Sequence, residues 1–136
     1  MKEDNVIYVS GKRKTAVAKL RLVPGNGKVF YNQIPSSSLN LFHRLALAEP
    51  IRIYEREIGA LSHDMFITAS GGGKEAQIQA ARLAIAKALV KQTSSDVLKK
   101  AYLAYDRNII VADARRKEAN KPGDSAPRAK RQKSYR

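Results

Sequence analysis

Apolar and polar residues alternate along the first part of the chain, and a period of two is typical of half-buried β-strands. The clearest run covers residues 16–23, where one face carries Ala16, Ala18, Leu20 and Leu22. Shorter apolar runs predict strands at residues 6–9 and 65–69. Pro24-Gly25-Asn26-Gly27 follows the main run and predicts a hairpin with a return strand at residues 28–31.

Helical spacing begins after the serines at residues 36–38, which are predicted N-caps. Apolar residues then recur every three or four positions over residues 39–46. Pro50 is expected to end this helix, because proline lacks the amide hydrogen that a helix interior needs. Residues 51–58 are then predicted to form a second, short helix that ends at Gly59.

The most regular helix is predicted at residues 74–91, and a further one at residues 96–102 with Ser94 or Ser95 as its cap. The longer helix has apolar residues on more than one side, so we expect several elements to contact it. Strands and helices mixed in this way indicate an α/β (α+β) domain, and 136 residues suffice for one core.

The pattern ends after Val111, and residues 115–136 contain no Leu, Ile, Val, Met or Phe. This segment cannot bury enough apolar area to offset the entropy of ordering it. We therefore predict a globular domain over residues 1–114 and an extended basic tail over residues 115–136 that is disordered without a partner.

The charge of the chain leaves three kinds of partner open: nucleic acid, an anionic membrane surface or an acidic protein. The chain carries 26 Lys and Arg against 12 Asp and Glu, a net charge of +14, and half of this excess lies in the tail. Such a charge favours a polyanion. No apolar run is long enough to span a bilayer, and the start Met1-Lys2-Glu3-Asp4 offers no secretory signal, so no membrane partner is expected.

Catalytic and metal-binding constellations are missing from the sequence. There is no cysteine, and His43 and His63 lie far apart, so we expect neither a metal nor another cofactor. The acids are scattered, with Asp64, Asp106 and Asp113 predicted as caps or turn residues. We therefore expect no enzyme and no small-molecule substrate.

Three segments are candidates for binding phosphates. A basic run, Lys12-Arg13-Lys14, is expected on a loop between two strands, where an ordinary solvated loop is the alternative. Gly71-Gly72-Gly73-Lys74 joins a strand to a helix but fits no nucleotide-binding fingerprint, so it either contacts RNA phosphate or serves close packing. The tail is the third segment, and the alternative is a merely solubilising or nuclear-import tail.

Several motifs together resemble the family of the ninth protein of the small ribosomal subunit, with an ending of archaeal and eukaryotic type. They are Gly11–Ala18, the glycine loop with Gln77–Leu89, Tyr105-Asp106-Arg107, Asp113–Lys117 and the ending Arg131–Arg136. The resemblance implies a four-stranded sheet with packed helices and a left-handed βαβ crossover (ribosomal protein S-five domain-2-like). It also implies a structural, cytoplasmic protein in the head of the small subunit, next to other head proteins.

The resemblance also implies roles for individual residues. Those expected to hold ribosomal RNA are Lys12, Arg13, Lys14, Arg115, Arg116, Lys117, Arg128, Lys130 and Arg131, and the glycine loop with Lys74 joins them as a phosphate site. Arg136, with Lys133 and Tyr135 beside it, is expected to reach the peptidyl-site tRNA. The alternative is a free single-strand nucleic-acid binder or RNA chaperone, which needs exposed stacking aromatics. Phe30, Tyr31 and Phe66 are the candidates for that role, although we expect them in the core.

Overall fold

The computed structural model describes residues 5–135, and it consists of one sheet with three helices. The strands are β1 (Ile7–Arg13), β2 (Ala16–Pro24), β3 (Val29–Tyr31), β4 (Ile34–Pro35) and β5 (His63–Ser70). The helices are α1 (Leu41–Glu57), α2 (Lys74–Thr93) and α3 (Asp96–Tyr105), with 3₁₀ turns at Ser36–Ser38 and Arg107–Ile109. The sheet order is β1-β2-β5-β3-β4. The predicted mixed α/β domain is therefore confirmed, with five strands instead of four because β4 adds a two-residue edge strand.

The predicted hairpin at residues 24–27 is wrong, because β5 lies between β2 and β3. β2 pairs antiparallel with β1 and β5, whereas β3 pairs parallel with β5. The Asp64 carboxylate of β5 accepts hydrogen bonds from the Asn26 and Lys28 amides, each at 2.9 Å. The Gly25 amide also donates to the Ser62 carbonyl at 3.0 Å. These bonds hold the turn against the start of β5, so the chain passes beside β5 and does not fold back on β2.

The parallel pairing of β3 and β5 makes the segment between them a βαβ crossover that contains α1. The two strands are in register with Phe30 next to Phe66 and Tyr31 next to Ile67. A crossover of this kind is the feature that the family resemblance implied. Its left hand remains a prediction.

Helix α1 is continuous through Pro50, so the predicted break and the separate helix at residues 51–58 are both wrong. Pro50 lacks one helical donor, but Leu47, Pro50, Ile53 and Tyr54 form a single buried face that packs the helix across that position. The Tyr102 hydroxyl of α3 donates to the Pro50 carbonyl at 2.7 Å. Asn40, not one of the preceding serines, caps the helix by accepting from the Phe42 amide at 3.3 Å.

Helix α2 is the centre of the core and packs on β1, β2, α1 and α3. Its buried residues lie on several sides, as the sequence pattern predicted. Gly11 of β1 makes the closest approach possible, because a Cβ there would lie 2.3 Å from the Ala80 carbonyl oxygen and 2.9 Å from the Ala84 nitrogen. A glycine is therefore required where this strand crosses the helix.

Candidate nucleic-acid interface

The basic run at residues 12–14 forms the end of the β1–β2 hairpin, and its three side chains do not share one loop. Lys12 and Arg13 belong to β1, and Lys14 occupies the turn with a φ of 53°. Successive strand residues point to opposite faces. Arg13 is therefore on the helix-covered face, whereas Lys12 is on the opposite face and Lys14 projects from the turn.

Asp113 connects this hairpin to the start of the tail. Its carboxylate accepts from the Arg13 guanidinium, and Arg115 donates to it through Nη2 at 2.6 Å and Nε at 2.8 Å. The Arg115 amide donates to the same carboxylate at 2.9 Å, so the predicted turn role of Asp113 is confirmed. These Arg115 hydrogen bonds, with a smaller contribution from Arg13, hold the pKa of Asp113 well below its usual range. Asp113 thus stays ionised and fixes both arginines.

These contacts create a cleft of about 560 Å³, which we call the basic groove and define by its lining residues Arg13, Lys14, Thr15, Arg115, Arg116 and Lys117. Arg116 bends back to donate to the Asp113 and Arg115 carbonyls at 3.0 and 2.9 Å. Five cationic side chains therefore share a groove stabilised by the single carboxylate of Asp113. The net charge of the groove is strongly positive, which suits phosphate.

The glycine loop lies against the same hairpin. Gly71 and Gly72 have positive φ angles of 76° and 57°. A Cβ on Gly71 would meet the Thr15 carbonyl oxygen at 2.6 Å, so the close packing considered from the sequence does occur. Gly73 is the N-cap of α2 without a side-chain cap, and a Cβ on it would meet nothing within 4 Å. The loop therefore packs through its first two glycines and is open at its third.

The outer part of the tail, residues 118–135, has neither helix nor strand and is mostly exposed. Two of its arginines make local bonds, Arg128 to the Glu118 carboxylate at 3.1 Å and Arg131 to the Gly123 carbonyl at 2.9 Å. Lys130 and Lys133 are exposed, and Tyr135 is 88% exposed. Arg136 lies outside the described residues.

One group of residues was not recognised in the sequence. Phe30 and Phe66 were expected in the core, but they are only half-buried and stack on each other on the sheet face that faces away from α2. Tyr31 is in the core as expected, at 8% exposure. The alternation within each strand already placed Phe30 and Phe66 opposite the core-facing residues. That the two rings lie side by side could be seen only once the order and register of the strands were known.

Residues 5–135 offer no set of three or more His, Asp or Glu side chains that could hold a metal ion. Within that range, no helix is both long and apolar enough to cross a bilayer. His43 lies 2.8 Å from a Glu75 oxygen, and His63 lies 3.3 Å from the Ser62 hydroxyl.

A groove of five cationic side chains beside a glycine loop at a helix start is typical of nucleic-acid-binding domains. The family described as ribosomal protein S9/S16 matches residues 11–136, and the chain belongs to this family. The small ribosomal subunit protein uS9 of Methanococcus vannielii is 39% identical over 134 residues, which cover 96% of this chain and 98% of the relative. The uS9 protein of Methanococcus maripaludis strain C5 is 40% identical over the same shares.

Family membership confirms several expectations from the sequence. The protein is a structural constituent of the small ribosomal subunit and not an enzyme, and it is located in the cytoplasmic ribosome. The archaeal relatives also agree with the archaeal and eukaryotic type of the ending.

Proposed function

We propose that this protein binds ribosomal RNA in the head of the small subunit through its basic groove and directs its tail to the peptidyl-site tRNA. The observation that carries the proposal is the Asp113 carboxylate, which holds Arg13 of the hairpin and Arg115 of the tail in one place. The two segments are far apart in sequence, yet they form one cationic surface. Family membership supports a partner within the small subunit.

The groove suits a phosphate backbone better than a base edge. Guanidinium groups fork onto phosphate oxygens, and lysines act as point charges that release counterions. Arg115 keeps 78% of its side chain exposed while Asp113 fixes its orientation, so it is preorganised at little cost. Lys14 extends the surface from the hairpin turn, and exposed Lys74 adds a charge at the start of α2.

The glycine loop contributes backbone donors to the same interface. The free N–H groups of the first turn of α2 begin at Gly73, and helix N-termini favour anions. A residue with a side chain would be accommodated at Gly73, but Gly71 and Gly72 must remain glycines because of their φ angles and contacts. An RNA phosphate is the proposed occupant of this end of the loop.

The tail acts in two parts. Arg128, Lys130 and Arg131 continue the anchoring of ribosomal RNA, and the tail is ordered only when RNA neutralises it. Lys133, Tyr135 and Arg136 form the tip that contacts tRNA, where an exposed tyrosine can stack and a terminal arginine can bind phosphate. Residues 1–114 remain folded without that partner.

The groove is tested by charge removal at Lys14. Lys14→Ala should weaken the binding of small-subunit RNA and reduce the slope of log affinity against log salt by about 0.7 to 0.9. Lys99→Ala is the matched control, because it removes the same charge from an exposed position of α3 that does not line the groove. Equal slopes for the two variants would contradict the proposal.

The tip is tested by deleting residues 133–136. The shortened protein should enter small subunits normally, whereas those subunits should release peptidyl-site tRNA faster. Failure of the shortened protein to assemble would contradict this division of the tail.

The alternative function, a free single-strand binder or RNA chaperone, is tested by sedimentation of a native extract at low salt. We expect the protein to sediment with small subunits, whereas the alternative predicts a broad soluble pool.

A further inference from the structure

The sheet face opposite α2 carries a row of planar side chains that the basic groove does not explain. We propose that this open face is a second RNA-binding surface, which holds unpaired bases by stacking. The inference shares one premise with the proposed function, namely that the chain binds RNA. It concerns a different face and a different kind of contact.

The row crosses four strands. Tyr8 of β1 is the register partner of Arg21 in β2, Arg21 is the partner of Phe66 in β5, and Phe66 is the partner of Phe30 in β3. Neighbouring strands are about 4.8 Å apart, so the row is about 15 Å long. Sheets that bind single-stranded RNA use aromatic side chains on one face to stack two or three bases, and this row has a suitable length.

Three of the four planar groups are already fixed against each other. The Phe30 and Phe66 rings stack with their centroids 5.2 Å apart and their planes 5° from parallel. The Arg21 guanidinium lies 4.7 Å from the centroid of the Phe66 ring. This contact holds a flexible side chain in place, so less entropy is lost when a base stacks on it. Tyr8, at the end of the row, is 69% exposed and offers a further ring.

The charge of the face selects a polyanion. Lys12 and Lys19 alternate onto the same side as Arg21, and all three are exposed. Asp64 also belongs to this side, but its carboxylate is already engaged. It accepts hydrogen bonds from the backbone amides of Asn26 and Lys28, which lower the pKa of Asp64. An apolar protein partner would bury the lysines without a counter-charge, which is costly. RNA instead offers bases to the rings and phosphates to the ammonium groups.

A cavity of about 270 Å³ beside the stacked rings could receive the edge of a base. Phe30 and Phe66 form its apolar wall, and Gln33 and Thr68 bring an amide and a hydroxyl that can donate or accept hydrogen bonds. Phosphate contacts alone would not need such a cavity. Base stacking with a polar edge contact is therefore the mode that the open face supports.

The test uses the full chain with two RNA probes, a short unstructured single strand and a fully paired hairpin with the same number of phosphates. Tyr8→Ala should weaken binding of the single strand by about 5- to 150-fold, the range for loss of one stacked base. The salt slope should not change, because no cation is removed. Binding of the paired hairpin should also stay unchanged, because its bases are not free to stack.

Two conservative variants sharpen the result. Tyr8→Phe keeps the ring and should bind the single strand as the wild type does. Arg21→Lys keeps the charge but loses the planar group, so it should weaken binding of the single strand and leave binding of the paired hairpin unchanged. The inference would be overturned if both Tyr8→Ala and Arg21→Lys bound the single strand with wild-type affinity. It would also be overturned if the variants assembled poorly into subunits while their RNA affinity was unchanged, because the face would then bind a protein. Lys14→Ala, which tests the basic groove, should alter the salt slope with both probes, so the two proposals fail separately.

Discussion

Arg13 and Asp113 form an ion pair across a separation of 100 residues, and this pair joins the end of β1 to the segment that leads into the tail. The carboxylate of Asp113 is only 10% exposed, and it also receives the Arg115 guanidinium. The tail therefore leaves the domain from a defined point beside the β1–β2 hairpin. This attachment converts two separate basic sequences into one groove.

Removing the Asp113 carboxylate should alter the pH dependence of stability. Because Asp113 has a lowered pKa in the folded state, it contributes stability above its unfolded pKa of about 3.9 and loses it as pH falls toward the folded value. Asp113→Asn should thus be less stable than the wild type from pH ~5 to ~8, and the difference should shrink below pH ~4. Urea unfolding at several pH values measures this.

The control for that experiment is Asp124→Asn, which removes a tail carboxylate that bonds neither Arg13 nor Arg115. It should leave the free energy of unfolding nearly unchanged at every pH. A difference between wild type and Asp113→Asn that persisted unchanged at pH ~3 would show that the ionised carboxylate is not the source of the stability.

A methyl group on Gly11 should be poorly tolerated. Its Cβ would lie 2.3 Å from the Ala80 carbonyl oxygen, so β1 and α2 would have to separate. We expect Gly11→Ala to lower the free energy of unfolding by about 1–3 kcal/mol or more, as overpacking of a core does. Gly73→Ala, which meets nothing within 4 Å, should cost below about 1 kcal/mol. Similar losses for both, measured by urea unfolding, would argue against this close crossing.

The Tyr102 hydroxyl should matter more than the Tyr105 hydroxyl. Tyr102 is fully buried and donates to the Pro50 carbonyl at 2.7 Å, and burial raises its pKa so that it remains a donor. Tyr102→Phe should cost about 1–2 kcal/mol in the free energy of unfolding. Tyr105→Phe removes an exposed bond to Glu49 of 3.2 Å and should cost less than about 0.5 kcal/mol. The reverse order would contradict this account of how α3 holds α1 at its proline.

Deleting residues 115–136 should separate folding from RNA binding. The buried apolar residues end at Ile109, so the shortened chain should stay folded and lose only the stability that the Arg115–Asp113 hydrogen bonds contribute. RNA affinity should fall, and the salt slope should decrease by about 0.7 to 0.9 for each phosphate that the tail no longer neutralises. An unchanged slope would mean that the tail does not touch phosphate. A loss of folding would contradict the predicted domain boundary.

Local signals accounted for most elements of the fold. The alternation at residues 16–23 predicted β2, and the strong helical pattern from Lys74 predicted α2. The Pro24–Gly27 turn led to a wrong prediction of strand pairing. An Asn-Gly pair indicates a turn, but it does not determine which strand the next segment pairs with. Pro50 misled in the same way, since its local helix-breaking effect is outweighed by a buried face on both sides of it.

The sequence by itself determined the excess of positive charge, the division into an apolar-patterned part and a tail without core residues, and the glycine loop between strand and helix. These depend on composition and local order. Only the tertiary structure decided that Asp113 joins Arg13 to Arg115, and that Tyr8, Arg21, Phe66 and Phe30 form one row. Strand order and register set the row, whereas the position of the segment after α3 beside the β1–β2 hairpin sets the Asp113 contacts. Both arise from contacts between residues far apart in the chain, which no local pattern records.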